Sequence, residues 1–170
     1  MLSENLEQAI NDQIHFELSA MYAYMAMSAW FEEKNLPGCA VWMTRQATEE
    51  QAHAMKLYAH LHDRGGHVRF EAIDKPAADF KSVRNVFEHG LELERTNTAN
   101  IHTLYELALT EKDYPAQVML QWFIDEQVEE EKMLGDILAH LDMIQDNPAG
   151  LLMFDSQLGR RPAADAADAG

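Results

Sequence analysis

Four stretches of this chain place seam residues in alternating steps of four and three, a period that admits few folds. The first seam reads Leu6, Ile10, Gln13, Glu17, Ala20, Tyr24, Met27, Phe31, and the second Cys39, Met43, Gln46, Glu50, His53, Leu57, His60. The third runs Phe80, Val83, Phe87, Gly90, Glu94, Asn97, Ile101, Leu104, Ala108, and the fourth Ala116, Leu120, Phe123, Gln127, Glu130, Leu134, Ile137, Leu141, Ile144. Seams of this period face partner helices at a shallow left-handed crossing, the geometry of a four-helix bundle. Runs of Val, Ile and Thr of strand type are missing. The expected fold is all-α.

Breaker residues set the order of the pieces. Asn35-Leu36-Pro37-Gly38 ends the first segment, Arg64-Gly65-Gly66 the second, and Asp113-Tyr114-Pro115 separates the third from the fourth. Short linkers make each flanking pair an antiparallel hairpin. Helices of about 26 residues would span roughly 39 Å at 1.5 Å per residue. The connection from Gly65 to about Lys81 can stretch to roughly 50 Å, long enough to run the length of the bundle and leave the second and third helices parallel. Hairpin, crossover, hairpin is the one-crossover topology. Asn147-Pro148 opens a short fifth piece, Pro148 to Leu158, carrying Leu151, Leu152, Met153 and Phe154. Residues 1–159 are expected to form one domain, and 160–170, rich in Ala and Asp, a disordered tail.

All four seams are apolar at both ends and polar in the middle. Glu17 interrupts the first, Glu50 with His53 the second, Glu94 the third, and Gln127 with Glu130 the fourth. An ionised carboxylate in a dry core costs several kcal/mol unless it is paired or bound to metal, and four at one depth repel one another. His53 is the only basic side chain among these interruptions, so a pair of divalent or trivalent cations resolves the problem. The spacing argues against accident. Glu17 precedes Glu50 by 33 residues and His53 by 36; Glu94 precedes Gln127 by 33 and Glu130 by 36. One hairpin maps on the other at a constant offset of 77, and Glu50-x-x-His53 puts both side chains on one helix face. Carboxylates with one imidazole and no thiolate suit iron or manganese, and zinc as well. The general description of di-iron bundles uses this same Glu-x-x-His arrangement, so that part is a match to a known pattern.

Other residues near the layer have bland readings beside functional ones. Glu49, Glu126 and Glu129 read first as a solvated acidic face, and alternatively as a further cation site. Tyr24 reads equally as a core aromatic with its hydroxyl satisfied or as an electron donor or hydrogen-bond partner. His60 has no acidic partner on its seam, and Trp122 reads as packing. Charge narrows the partners. Against 29 Asp and Glu stand 13 Lys and Arg, a formal charge of −16, which disfavours nucleic acid and anionic membrane. A single cysteine, Cys39, and a start without a basic lead or apolar run imply a reducing, cytoplasmic setting and no membrane span.

With Glu17, Tyr24, Glu49-Glu50-Gln51-Ala52-His53, Glu94 and Glu126-Gln127-Val128-Glu129-Glu130 in place, the chain resembles the bacterial non-haem ferritins from Leu2 to about Gly159. The resemblance implies a ferritin-like antiparallel four-helix bundle with one long crossover and a short fifth helix, assembled as a homo-oligomer, a hollow shell of 24 identical chains. It implies ferroxidase activity at a di-iron centre, with dioxygen or peroxide as oxidant and a ferric oxyhydroxide mineral stored inside. Carried over by position, Glu17, Glu50 and His53 hold the first iron, Glu50 bridges, and Glu94 with Glu130 hold the second. Gln127 sits behind them or meets bound oxygen. Glu49, Glu126, Glu129 and Glu130 serve a third iron, with Tyr24 as a redox-active neighbour. Haem is not expected, because Gln51 and Ala52 supply no methionine inside the Glu-x-x-His stretch and Gln127 to Glu130 ends in Glu. Miniature ferritins of the DNA-protecting type, which build their site between subunits, differ as well. A soluble di-iron oxygenase or peroxidase is the alternative, although such enzymes usually carry a second histidine ligand.

Overall fold

A computed structural model describes residues 2–145 and 147–160. They form five helices: α1 (Glu4–Glu33), α2 (Pro37–Asp63), α3 (Val83–Thr110), α4 (Tyr114–Ile144) and α5 (Pro148–Leu158). The four long helices run 27 to 31 residues, somewhat longer than expected; α1, α2 and α3 continue past the last apolar seam position into solvated turns. Local side chains start most of them. Ser3 accepts from Leu6 N, Ser82 from Asn85 N, Asp113 from Ala116 N and Asn147 from Ala149 N, which satisfies amides that a helix start leaves without a partner.

The helix that lacks such a cap is α2, which begins at Leu36-Pro37. Its cap comes from α5 instead: the Cys39 amide donates to Asp155 Oδ1 at 2.8 Å. Gly38 makes the approach possible, since a Cβ there would lie 1.8 Å from the Asp155 carbonyl oxygen. Beside that carboxylate, burial first and then the charge of Asp155 push the Cys39 thiol far up, so it stays protonated.

The helices run as expected. Asn35 and Lys112, both at φ 58°, turn the two short hairpin links. Ser3 bonds to Glu111 near one end and Tyr24 to Glu94 at mid-height, so α1 and α3 are antiparallel. Gln46 meets Glu130 while His53 meets Trp122, so α2 and α4 are antiparallel too. α2 and α3 therefore point the same way, joined by the crossover. Val68 packs on the core at one end and Phe80 on the core at the other, which takes the connection along the bundle. Buried Asn11 ties the crossover down, donating to His67 O at 2.9 Å and accepting from Arg69 N at 2.7 Å.

The core is divided. One apolar cluster centres on Tyr24, Phe31, Trp42, Phe87 and Phe154, the other on Leu6, Ile14, Leu57, Leu104 and Phe123. Between them lies a slab of buried polar groups. Among the described residues no helix is long and apolar enough to cross a membrane. Arg160 closes a turn on Gln157, and the expected tail from 161 onward lies outside the described residues.

Candidate metal centre

The slab is made by the seam interruptions. Glu17, Glu50, His53, Glu94, Gln127 and Glu130 are all buried, none more than 3% exposed. Each helix brings its residues there because the apolar positions above and below fix its rotation, leaving the polar member no other direction. Three of them converge tightly: one donor atom from each of Glu17, Glu50 and His53 lies within 4.8 Å of the other two. His53 Nδ1 sits 3.4 Å from Glu50 Oε2.

The hydrogen bonding is uneven. Glu17 Oε1 accepts from Gln13 at 2.8 Å and Oε2 from Asn97 at 3.1 Å. Glu94 accepts from Tyr24 Oη at 2.5 Å, and Gln127 Nε2 donates to its carboxylate at 3.3 Å and to its backbone carbonyl at 3.1 Å. Glu130 Oε2 accepts from Gln46 at 2.8 Å. Glu50 differs, for neither of its oxygens receives a hydrogen bond from an N–H or hydroxyl of the chain, and the carboxyl it meets is that of Glu17. Nδ1 of His53 is likewise buried without a hydrogen-bond partner. Buried polar atoms left this way cost about 1–3 kcal/mol each, more when charged, and mark a place where something else binds. Two carboxylate oxygens and an imidazole nitrogen, all electron-pair donors in one buried cluster with Glu17, fit divalent cations of the iron or zinc type.

Electrostatics agree. Burial raises the Glu50 carboxyl well above the usual range, and the charges of Glu94, Glu17 and Glu130 push it further. Burial raises Glu17 as well, against the pull of its hydrogen bonds. Glu94 is raised to about 7, by burial first, while Tyr24 and Gln127 hold it down. Burial drives the Tyr24 phenol well above its ordinary value, and Glu94 adds to this, so the hydroxyl stays protonated. His53 is lowered to about 4, by burial first and then by Lys56, which keeps the ring neutral and its lone pair available. Trp122 and Phe123 stand edge-on to that ring at 5.5 and 5.9 Å, and Lys56 lies 4.3 Å over Trp122. Without a cation the layer must hold protons.

The remaining expected residues are placed less tightly. Glu49 and Glu126 are half-buried and Glu129 is exposed. Among the described residues, Glu17–Glu50–His53 is the only group of three such donors within 4.8 Å of one another. Tyr24 does reach the layer, with its hydroxyl on Glu94 and its ring beside Gly90.

Three buried amides that the sequence reading passed over complete the slab: Gln13, Gln46 and Asn97. Their signal was present, since each is a polar seam residue one step from a carboxylate. The internal repeat hid them. At the offset of 77, Gln13 matches Gly90, Gln46 matches Phe123, and Asn97 matches Ala20.

Residues 7–144 match the family model described as "Ferritin-like domain". The chain is 40% identical over 161 residues to the bacterial non-heme ferritin of Staphylococcus aureus, covering 95% of this chain and 97% of the relative. The corresponding ferritin of Staphylococcus haemolyticus is 38% identical over the same shares. Among solved structures, an open pore ferritin from the hyperthermophilic archaeon Archaeoglobus fulgidus superposes with a TM-score of 0.94 at 38% identity, covering 95% of this chain and all of that one. A humanized archaeal ferritin gives 0.95 at 37% identity over 96% and 99% of the two chains. A divided four-helix core, a carboxylate and histidine cluster at its centre and these similarities lead to one conclusion: the chain belongs to the ferritin family, as a bacterial non-haem ferritin.

Proposed function

We propose that this protein stores iron and oxidises it on the way in, with Fe(II) as the substrate of the buried layer. The observation that carries the reading is the set of electron-pair donors on Glu50 and His53 that no N–H or hydroxyl of the chain satisfies, beside Glu17. In this reading Glu17, Glu50 and His53 hold one ferrous ion, and Glu94 with Glu130 a second, with Glu50 between them. Two ions each give up one electron, and dioxygen takes both with two protons to become hydrogen peroxide, or hydrogen peroxide takes both with two protons to become two waters. The ferric product then hydrolyses to an oxyhydroxide mineral. Carboxylates favour the ferric state because their charge stabilises it more strongly, which eases electron loss. Fixing the two ions close together makes the two-electron step effectively intramolecular.

The other residues have supporting roles in this reading. Neutral His53 offers its nitrogen without first losing a proton. Protonated Glu50 releases its proton as a cation arrives. Gln127 and Tyr24 orient Glu94, and Tyr24 is also placed to supply an electron. Glu49, Glu126 and Glu129 form a looser acidic path for further iron. Residues 1–159 act as the folded unit, 24 of which close a shell, and the buried free Cys39 suits a reducing cytoplasm. The single histidine among the buried ligands favours this reading over a di-iron oxygenase or peroxidase.

Stopped-flow absorbance on the assembled protein tests the assignment. The Glu50→Ala/His53→Ala double variant is expected to oxidise iron about a hundredfold more slowly, the scale of loss when reacting groups are no longer positioned. Wild-type speed in an intact double variant would contradict it.

A further inference from the structure

The two halves of the layer are not held alike, and the difference centres on Asn97. This side chain is 1% exposed and every polar atom it has is used. Its Oδ1 accepts from Gln13 Nε2 at 2.6 Å, and its Nδ2 donates to Glu17 Oε2 at 3.1 Å and, more weakly, to Gln127 Oε1 at 3.4 Å. Gln13 Nε2 in turn donates to Glu17 Oε1 at 2.8 Å. Each Glu17 oxygen therefore has one lone-pair position taken by an amide, and the same carboxyl meets that of Glu50. The orientation of Asn97 is forced, because a flipped amide would set its oxygen against the Glu17 carboxylate.

We infer that Asn97, braced by Gln13, is a positioning residue that fixes the Glu17 carboxylate as a preformed metal ligand and couples it to Gln127 in the opposite half of the layer. The inference rests on the reading of Glu17, Glu50 and His53 as a metal site. It goes beyond that reading by assigning work to an amide on α3, a helix that contributes no ligand to that half. A glutamate has three side-chain torsions, and an unbraced one must be ordered by the incoming ion itself. Here the amides have already ordered it. The internal repeat shows that the brace is not a by-product of the fold, since the position matching Asn97 is Ala20 and the position matching Gln13 is Gly90. Glu94 is held by a phenol and by Gln127 instead. Glu50 has no amide or hydroxyl donor of its own.

Partners that orient metal ligands are worth about tenfold to a hundredfold in metal affinity. The test uses cobalt(II), which stays divalent in air-free buffer, titrated into the full assembled protein by isothermal calorimetry. Asn97→Leu keeps the volume and removes the amide, and its tightest binding step is expected to weaken at least tenfold. In a Glu17→Ala background the same substitution is expected to change that step less than twofold, because there is no longer a carboxylate to hold. A role confined to packing would not depend on Glu17. Equal losses with and without Glu17, or unchanged binding in an intact Asn97→Leu shell, overturn the inference. If Asn97→Leu fails to assemble, Asn97→Ala and Gln13→Leu are judged by the same two criteria. Wild-type protein that binds cobalt no better than Glu50→Ala/His53→Ala overturns the metal site together with its brace, whereas a failure confined to the Asn97 cycle leaves the site standing.

Discussion

Glu50 and Glu17 are neighbours in one dry layer, yet they carry opposite halves of its chemistry. Glu17 is hydrogen-bonded at both oxygens, while Glu50 faces other carboxylates and the bare nitrogen of His53. Proton linkage makes this visible in stability. A carboxyl whose folded pKa is raised contributes stability that is complete below its unfolded value and lost as pH rises through the folded one. Glu94, raised to about 7, and Glu50, raised well above its ordinary value, both act in this direction. His53 acts the other way, but with its folded value near 4 its contribution is already complete above the ordinary histidine value of 6.5. Above pH 6.5, therefore, the buried carboxyls dominate. Metal-free protein is expected to lose thermal stability between pH 6.5 and 8, at up to about 1.4 kcal/mol per pH unit for each carboxyl still protonated. Zinc(II) should restore the midpoint at pH 8, and Glu50→Gln should flatten the slope. A midpoint that rises over this interval in metal-free protein, followed by scanning calorimetry, would contradict the layer's electrostatics. Glu17, Glu50, Glu94 and Glu130 were legible in the sequence because a glutamate on an apolar seam has no cheap explanation, and His53 and Gln127 because the spacing of the repeat ties them to those glutamates. Gln13, Gln46 and Asn97 were not, because an amide on a seam is inexpensive and its partner sits on another helix.

Helix bounds were legible for a related reason. Asn35 and Pro37, Gly65, Asp113 with Pro115, and Asn147 with Pro148 are local signals; α1, α2, α3 and α4 stop beside them, and α2, α4 and α5 start there. What holds α5 to the bundle was not legible, since the cap of α2 is Asp155, 116 residues from Cys39 in the chain. Asp155→Ala is expected to destabilise the protein by about 1 kcal/mol, the usual worth of a side-chain cap. It should also speed hydrogen exchange at the Cys39 amide. Gly38→Ala should be worse, because its methyl would meet the backbone of α5 at 1.8 Å and the helix must lift away. Unchanged exchange at Cys39 in Asp155→Ala, measured by mass spectrometry, would show that α5 is held by its apolar contacts alone.

The molecule as a whole places two apolar clusters on either side of a polar slab, and the repeat at an offset of 77 brings ligand-type residues to the slab from all four long helices. The bundle topology followed from the seams and the length of the crossover. The proposed shell did not, because the seams describe only the inside of one bundle. Phe70, Val118, Leu152 and Met153 are each at least 63% exposed on the single chain, a large apolar exposure for an acidic protein. Size-exclusion chromatography is expected to return a particle of several hundred kilodaltons against 19.4 kDa for one chain. A stable monomer or dimer would remove the storage half of the proposal. The central claim is that metal cations compensate the acidic slab. Crystals soaked in ferrous iron without oxygen, with anomalous scattering recorded at the iron edge, test it most directly. The account predicts one peak among Glu17, Glu50 and His53 and a second beside Glu94 and Glu130. Iron found only on surface carboxylates, with nothing between the four helices, would contradict it.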